Sequence, residues 1–117
     1  MYIEKYDGYE EDGLISVAFP TSINNVKVAA NASLSRGDLL CGESMSGIFG
    51  PVASNDDAAK ILMIAAEDFV ADSLNAVTSA YSAGEFNREK ISCAGGSITD
   101  FEAEMRKQNL HLTSLKG

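Results

Sequence analysis

The sequence predicts a mainly β domain with one or two short helices (α+β), and three observations carry that prediction. Ten glycines among 117 residues cut the chain into short pieces, a pattern of turns and strands more than of long helices. Several pieces alternate apolar and polar residues with the period of two that marks a half-buried strand. Only one stretch, near the C-terminus, carries a helix start signal together with an apolar stripe at helical spacing.

The elements follow in order. Leu14, Ile15, Val17 and Phe19 form an apolar run ended by Pro20, whose missing amide hydrogen restricts pairing to an edge or a strand end. Val26 and Val28 alternate with Asn25 and Lys27 as a strand, closed by a small polar turn at residues 31–33. In Leu34-Ser35-Arg36-Gly37-Asp38-Leu39-Leu40 a glycine-centred bend leads into the next strand. Residues 42–50, with Gly42, Gly47 and Gly50 among serines and followed by Pro51, read as a hairpin or loop. No Lys-Ser or Lys-Thr pair follows them, so a phosphate cradle is not indicated. Residues 57–69 suit a buried helix or a buried strand, and periodicity alone does not decide. Residues 76–93 read as strand, turn at Gly84, strand, with Ile91 and Cys93 facing one way. The helix comes next. Thr99 is placed to cap it, Glu102 to complete a capping box, Phe101 and Met105 to form its buried stripe, and Glu102 with Arg106 an i,i+4 ion pair. It should stop near Asn109, and Leu110, His111 and Leu112 then alternate as a last strand.

Composition narrows the function. A chain of this length makes one domain with a radius of gyration near ~13 Å. A net charge of −8 and the lack of any basic cluster exclude nucleic-acid binding on electrostatic grounds. Cys41 and Cys93 are too far apart in sequence for a metal knuckle and too few for a disulfide scaffold, and read as reduced apolar packers. No apolar run approaches membrane-spanning length and no secretion signal opens the chain, so synthesis in a cytoplasm is expected and Asn31-Ala32-Ser33 is not a glycosylation site. His111 reads as a structural or polar-face histidine, and Cys41, Cys93 and His111 as a poor zinc set. The acid pairs Asp56-Asp57 and Glu67-Asp68 read as solvated caps, and Arg36-Gly37-Asp38 as a turn. Tyr81 and Phe86 are placed in the core. No catalytic group, cofactor or metal is assigned, and the protein reads as a non-enzyme.

Three of the four tyrosines, Tyr2, Tyr6 and Tyr9, lie in the first nine residues, and residues 1–13 hold five acids against one base. Two readings stand: a frayed acidic terminus, or a docking arm whose tyrosines supply contact area at small entropic cost.

One resemblance favours the arm. Tyr81-Ser82-Ala83-Gly84-Glu85-Phe86-Asn87-Arg88 and Met105-Arg106-Lys107-Gln108-Asn109-Leu110, with Ala65-Ala66-Glu67-Asp68, residues 34–40 and Phe19-Pro20, resemble the lambda-type phage head decoration proteins. The resemblance implies a bent two-stranded ribbon of the β-clip kind, with residues 57–66 as a strand. It implies a homotrimer on the outer surface of the virion's head at threefold positions, holding the expanded shell together. The implied partners are the major capsid protein and further copies of the chain, with no nucleic acid and no membrane. Residues 1–20 become a capsid-docking arm and edge strand and residues 21–117 the decoration domain. Tyr2, Ile3, Tyr6 and Tyr9 are the implied anchors for strand addition to the capsid protein, with Leu14, Ile15, Phe19 and Pro20 sharing the contact. The rival from another class is a small-ligand-binding β-clip module, which requires convergent polar groups around a cavity.

Overall fold

Five of the chain's strands close on themselves. The computed structural model describes residues 13–16, 20–71, 76–93 and 97–113. Its strands are β1 (Thr21–Val28), β2 (Ser33–Leu34), β3 (Leu39–Gly42), β4 (Ile48–Pro51), β5 (Ile61–Ala65), β6 (Phe69–Val70), β7 (Val77–Asn87) and β8 (Leu110–Thr113), with one α-helix, α1 (Ile98–Lys107). The main sheet runs β1-β4-β3-β5-β7-β8, and β1 also pairs with β7, so β1, β4, β3, β5 and β7 form a small barrel-like ring. Among the described residues the protein is therefore mainly β with one α-helix.

Side-chain alternation gives this sheet two apolar faces. Val26, Val28, Leu40, Phe49, Met63, Ala65 and Ala80 point into the ring. Leu39, Cys41, Leu62 and Ile64 point the other way and meet Phe86, Phe101, Met105 and Leu110 in an outer core under α1. Burial on both faces explains why residues 61–65 are an unbroken apolar run: each alternate residue serves a different core.

β7 joins the two cores. Up to Ala83 it pairs antiparallel with β1, and Ile64 and Ala65 of β5 lie opposite Tyr81 and Ala80. Beyond Gly84 its partners are β8, in parallel, and the segment around Ile15, in an antiparallel bridge to Phe86. Gly84 has φ +143°, and a Cβ there would stand 2.9 Å from the Pro20 Cβ and 3.2 Å from the Phe86 ring. Only glycine fits that backbone and that approach. The expected turn at Gly84 is thus a change of partners within one continuous strand, followed by a 3-10 turn at Arg88–Lys90.

Two further expectations are corrected. Residues 55–59 form a 3-10 turn, so the strand expected from Asp57 begins at Ile61. The cause is capping: Ser54 Oγ accepts from the Asp56 amide, while Asp57 Oδ2 accepts from the Ala53 and Ser54 amides at 2.7 and 3.3 Å. The expected Thr99–Glu102 capping box is absent. Ser97 precedes the helix, its hydroxyl meets that of Thr99 at 2.9 Å, and the Glu102 carboxylate is taken by Arg88. Of the two alternatives for residues 42–50, the structure shows the hairpin, with β3 and β4 antiparallel and Gly42 opposite Phe49.

The other elements lie where the sequence puts them. β1 alternates toward Val26 and Val28, Phe101 and Met105 are fully buried, and Asn109, at φ +70°, ends the helix before β8. Among the described residues no helix is long and apolar enough to cross a membrane.

Candidate functional site

Residues 13–16, which follow the stretch expected to form an arm, pack into the body of the protein. Leu14 is 1% exposed and Ile15 8% exposed, both within the outer core. The Asn87 amide donates to the Leu14 carbonyl at 2.7 Å, and the Ser16 amide to the Glu85 carbonyl at 3.0 Å. Leu14 and Ile15, expected to share the capsid contact, are thus buried within the chain's own core. A leucine and an isoleucine at this depth serve the chain's own core, and fully burying each contributes about 1.5–3 kcal/mol. Both lie in the segment expected as arm and edge strand, residues 1–20. Pro20 is half-buried against Gly84. Tyr2, Ile3, Tyr6, Tyr9 and Phe19 lie outside the described residues.

Beside the root, Arg88 ties three elements together. Its Nε donates to Glu102 Oε1 of α1 at 3.2 Å and its Nη2 to Glu102 Oε2 at 2.5 Å, a two-point pairing. The same Nη2 lies 3.4 Å from the Leu112 carbonyl of β8. The Arg88 guanidinium holds the Glu102 carboxyl below its ordinary range. The pair with Arg106 is present but longer, at 3.5 Å.

A second polar node sits at the tight bend before β3. The Arg36 amide donates to Asp68 Oδ1 at 2.8 Å, and its Nη1 donates to the Ala66 carbonyl at 2.9 Å and to the Tyr81 hydroxyl at 2.8 Å. Its guanidinium also lies 5.6 Å from the centre of the Tyr81 ring. Asp38 Oδ2 accepts from the Ser35 amide, closing the turn. Gly37, at φ +101°, is pressed against the Lys90 carbonyl, where a Cβ would stand at 2.6 Å. Arg36-Gly37-Asp38 is therefore a packed turn. Residues from three sequence segments, the partners 30 to 45 residues from Arg36, meet in one hydrogen-bonded cluster.

The remaining candidates resolve as structural groups. Asp57, expected to be solvated, is 8% exposed, and the Ala53 amide and then Lys60 hold its carboxyl down to about 2. Lys60 Nζ lies 2.9 Å from Asp57 and 3.4 Å from Glu43. Burial, with Asp57 beside it, pushes the Cys41 thiol up, and burial pushes Cys93 up to about 11. Both cysteines are free thiols. High thiol values disfavour the nucleophilic thiolate, so neither is poised for attack. Asp68 caps the Arg36 turn, Glu67 accepts from the Thr78 hydroxyl at 2.6 Å, and His111 is exposed on β8. Tyr81 and Phe86 pack with ring centres 5.5 Å apart. Among the described residues no three His, Cys, Asp or Glu side chains gather as a metal site, and no ligand-sized cavity opens.

Sequence reasoning missed Gln108. Its Oε1 accepts from the Leu62 amide at 2.9 Å and its Nε2 donates to the Lys60 carbonyl at 3.0 Å, so one side chain supplies what a neighbouring strand would. A glutamine just past a helix carries no signal of that use. No protein family and no curated protein matches this sequence.

Proposed function

We propose that this protein is a capsid decoration protein of the lambda type, a non-enzymatic cement that binds the outer surface of an expanded phage head. In this reading three copies of a β-clip domain associate on the head's threefold positions, and each presents residues 1–12 to a neighbouring capsid-protein strand. Tyr2, Ile3, Tyr6 and Tyr9 are the anchors. Leu14 and Ile15 act behind them, as the buried post from which the arm extends.

The observation that carries this reading is the sequence resemblance, together with where its residues lie. Arg36, Ala66, Asp68 and Tyr81, drawn from three of the resembling segments, share one hydrogen-bonded node. Gly84, from the same segment as Tyr81, is joined to Asn109, from a fourth, through the Gly84 amide and the Asn109 carbonyl at 2.9 Å. Such a pattern is what a shared fold would retain. A mainly β body with a buried arm root also suits strand addition, which needs a rigid support beside a free extended segment.

The mechanism is multivalent attachment. A single short strand binds weakly, but once one arm of a trimer is engaged the others bind as tethered groups, raising overall affinity by ~10²-fold or more. The test is a titration of expanded, undecorated heads with the full chain and with a chain lacking residues 1–12. The full chain is expected to saturate the heads, and the truncated chain to remain folded yet fail to bind at the same concentration. Saturation by both at equal concentration would end the arm mechanism.

A further inference from the structure

The outer wall of the ring where α1 does not reach differs in charge from the rest of the chain. Lys27 of β1 stands in register with Ile48 of β4 on one side and with Val77 of β7 on the other. These three side chains form a row across three strands on the solvent face, because their neighbours Val26, Val28, Phe49 and Thr78 point inward. Ile48 is 52% exposed and Val77 45% exposed, an uncommon use of two large aliphatic side chains side by side in water. α1 packs on β8 and the 3-10 turn at residues 55–59, leaving this wall uncovered by the helix.

The chain carries seventeen acids. None falls in β1, in β4 or in residues 77–84 of β7. Besides Ile48 and Val77, the exposed side chains there are Thr21, Ser22, Asn24, Asn25 and Lys27, with Ser79 Oγ donating to Asn24 Oδ1 at 3.1 Å. β1 also keeps an open backbone edge, since β4 pairs only with Lys27 and Val28 and leaves residues 21–25 without a partner on that side among the described residues.

We infer that this acid-free wall is one half of a head-to-tail contact between copies of the chain, the other half being an acidic face of the neighbouring copy. This rests on the trimeric reading above and names the surface that serves it. Two like walls brought face to face would oppose Lys27 to Lys27. A lysine-centred apolar wall meeting an acidic surface instead pairs charge while Ile48 and Val77 leave water. A contact between two different surfaces repeats around a rotation axis and closes into a ring, as a trimer requires, whereas a like-to-like contact stops at a dimer. It also admits close approach between chains that each carry a net charge of −8, which repel one another elsewhere.

The test uses the full chain in ordinary and nitrogen-15-labelled forms, mixed and treated with a carbodiimide that joins amines to touching carboxylates. Lys27 is expected to join a carboxylate of another copy, seen as mixed-isotope peptide pairs. Val77→Asp is expected to lower the solution mass to that of the single 12.4 kDa chain with an unchanged circular dichroism spectrum. Val70→Asp, at a more exposed valine on β6 away from the wall, should leave the mass unaltered. Cross-links of Lys27 only within one chain, an unchanged mass for Val77→Asp, or a single-chain mass for the unsubstituted protein would each overturn the inference. Binding of heads by the full chain reports separately on decoration, because it is read without reference to Lys27.

Discussion

The two apolar cores on either side of β3, β5 and β7 are built from different parts of the chain. The ring interior draws its buried residues from Val26 to Ala80, and five of its nine are alanine or valine, beside one phenylalanine, Phe49, and three longer side chains, Leu34, Leu40 and Met63. The outer core reaches from Leu14 to Leu110 and holds Phe86, Phe101 and Met105. One is therefore closed by a continuous stretch of sequence, and the other only when the first and last described elements come together. The lesson concerns residues 14–16. They are fastened to the core that depends on the helix, so their packing and that of α1 are coupled, while the ring interior draws on neither.

Truncating one large residue in each core separates them, and this is the largest effect expected. Phe101→Ala and Phe49→Ala should each cost about 3–5 kcal/mol in chemical denaturation. Hydrogen exchange then distinguishes them. Phe101→Ala is expected to accelerate the Ser16 and Asn87 amides, which pair the arm root with β7, beyond what the global loss explains. Phe49→Ala should accelerate them only in step with global unfolding. Equal acceleration in both variants would show the cores to be one cooperative unit.

A smaller effect comes from pH and concerns the turn that precedes β5. The Asp57 carboxyl is held down to about 2 from an ordinary 3.8. A lowered folded value means that its stabilisation is complete above the ordinary value, and is lost as pH falls through that value toward about 2. Stability measured from pH 5 to pH 2 should fall more steeply in the unsubstituted chain than in Asp57→Asn, which has no carboxylate to protonate. Parallel slopes would remove Asp57 from the acid response.

Much of the secondary structure was legible because it follows from local periodicity. Val26 and Val28 alternating, Phe101 and Met105 four apart, and Asn109 ending the helix are all set by near neighbours. What was not legible depends on distant partners. Gly84 reads as a turn in isolation, yet the approach of Pro20 and Phe86 makes it a mid-strand switch. Glu102 reads as a cap, yet Arg88, fourteen residues away, claims it. The burial of Leu14 and Ile15 depends on a core completed nearly a hundred residues later. For the proposed site, the sequence shows a cluster of tyrosines and acids in residues 1–13, but not the burial of Leu14 and Ile15 that follows it. Nor was the row of Ile48, Lys27 and Val77, because a parallel pairing between β1 and β4 places residues side by side that no sequence window contains.

The claim on which the account turns is multivalent attachment, and the mass of the full chain in solution, measured across micromolar concentrations, tests it most directly. The account predicts a species of three times the 12.4 kDa chain mass. A species that remains at the mass of one chain at every concentration would contradict it.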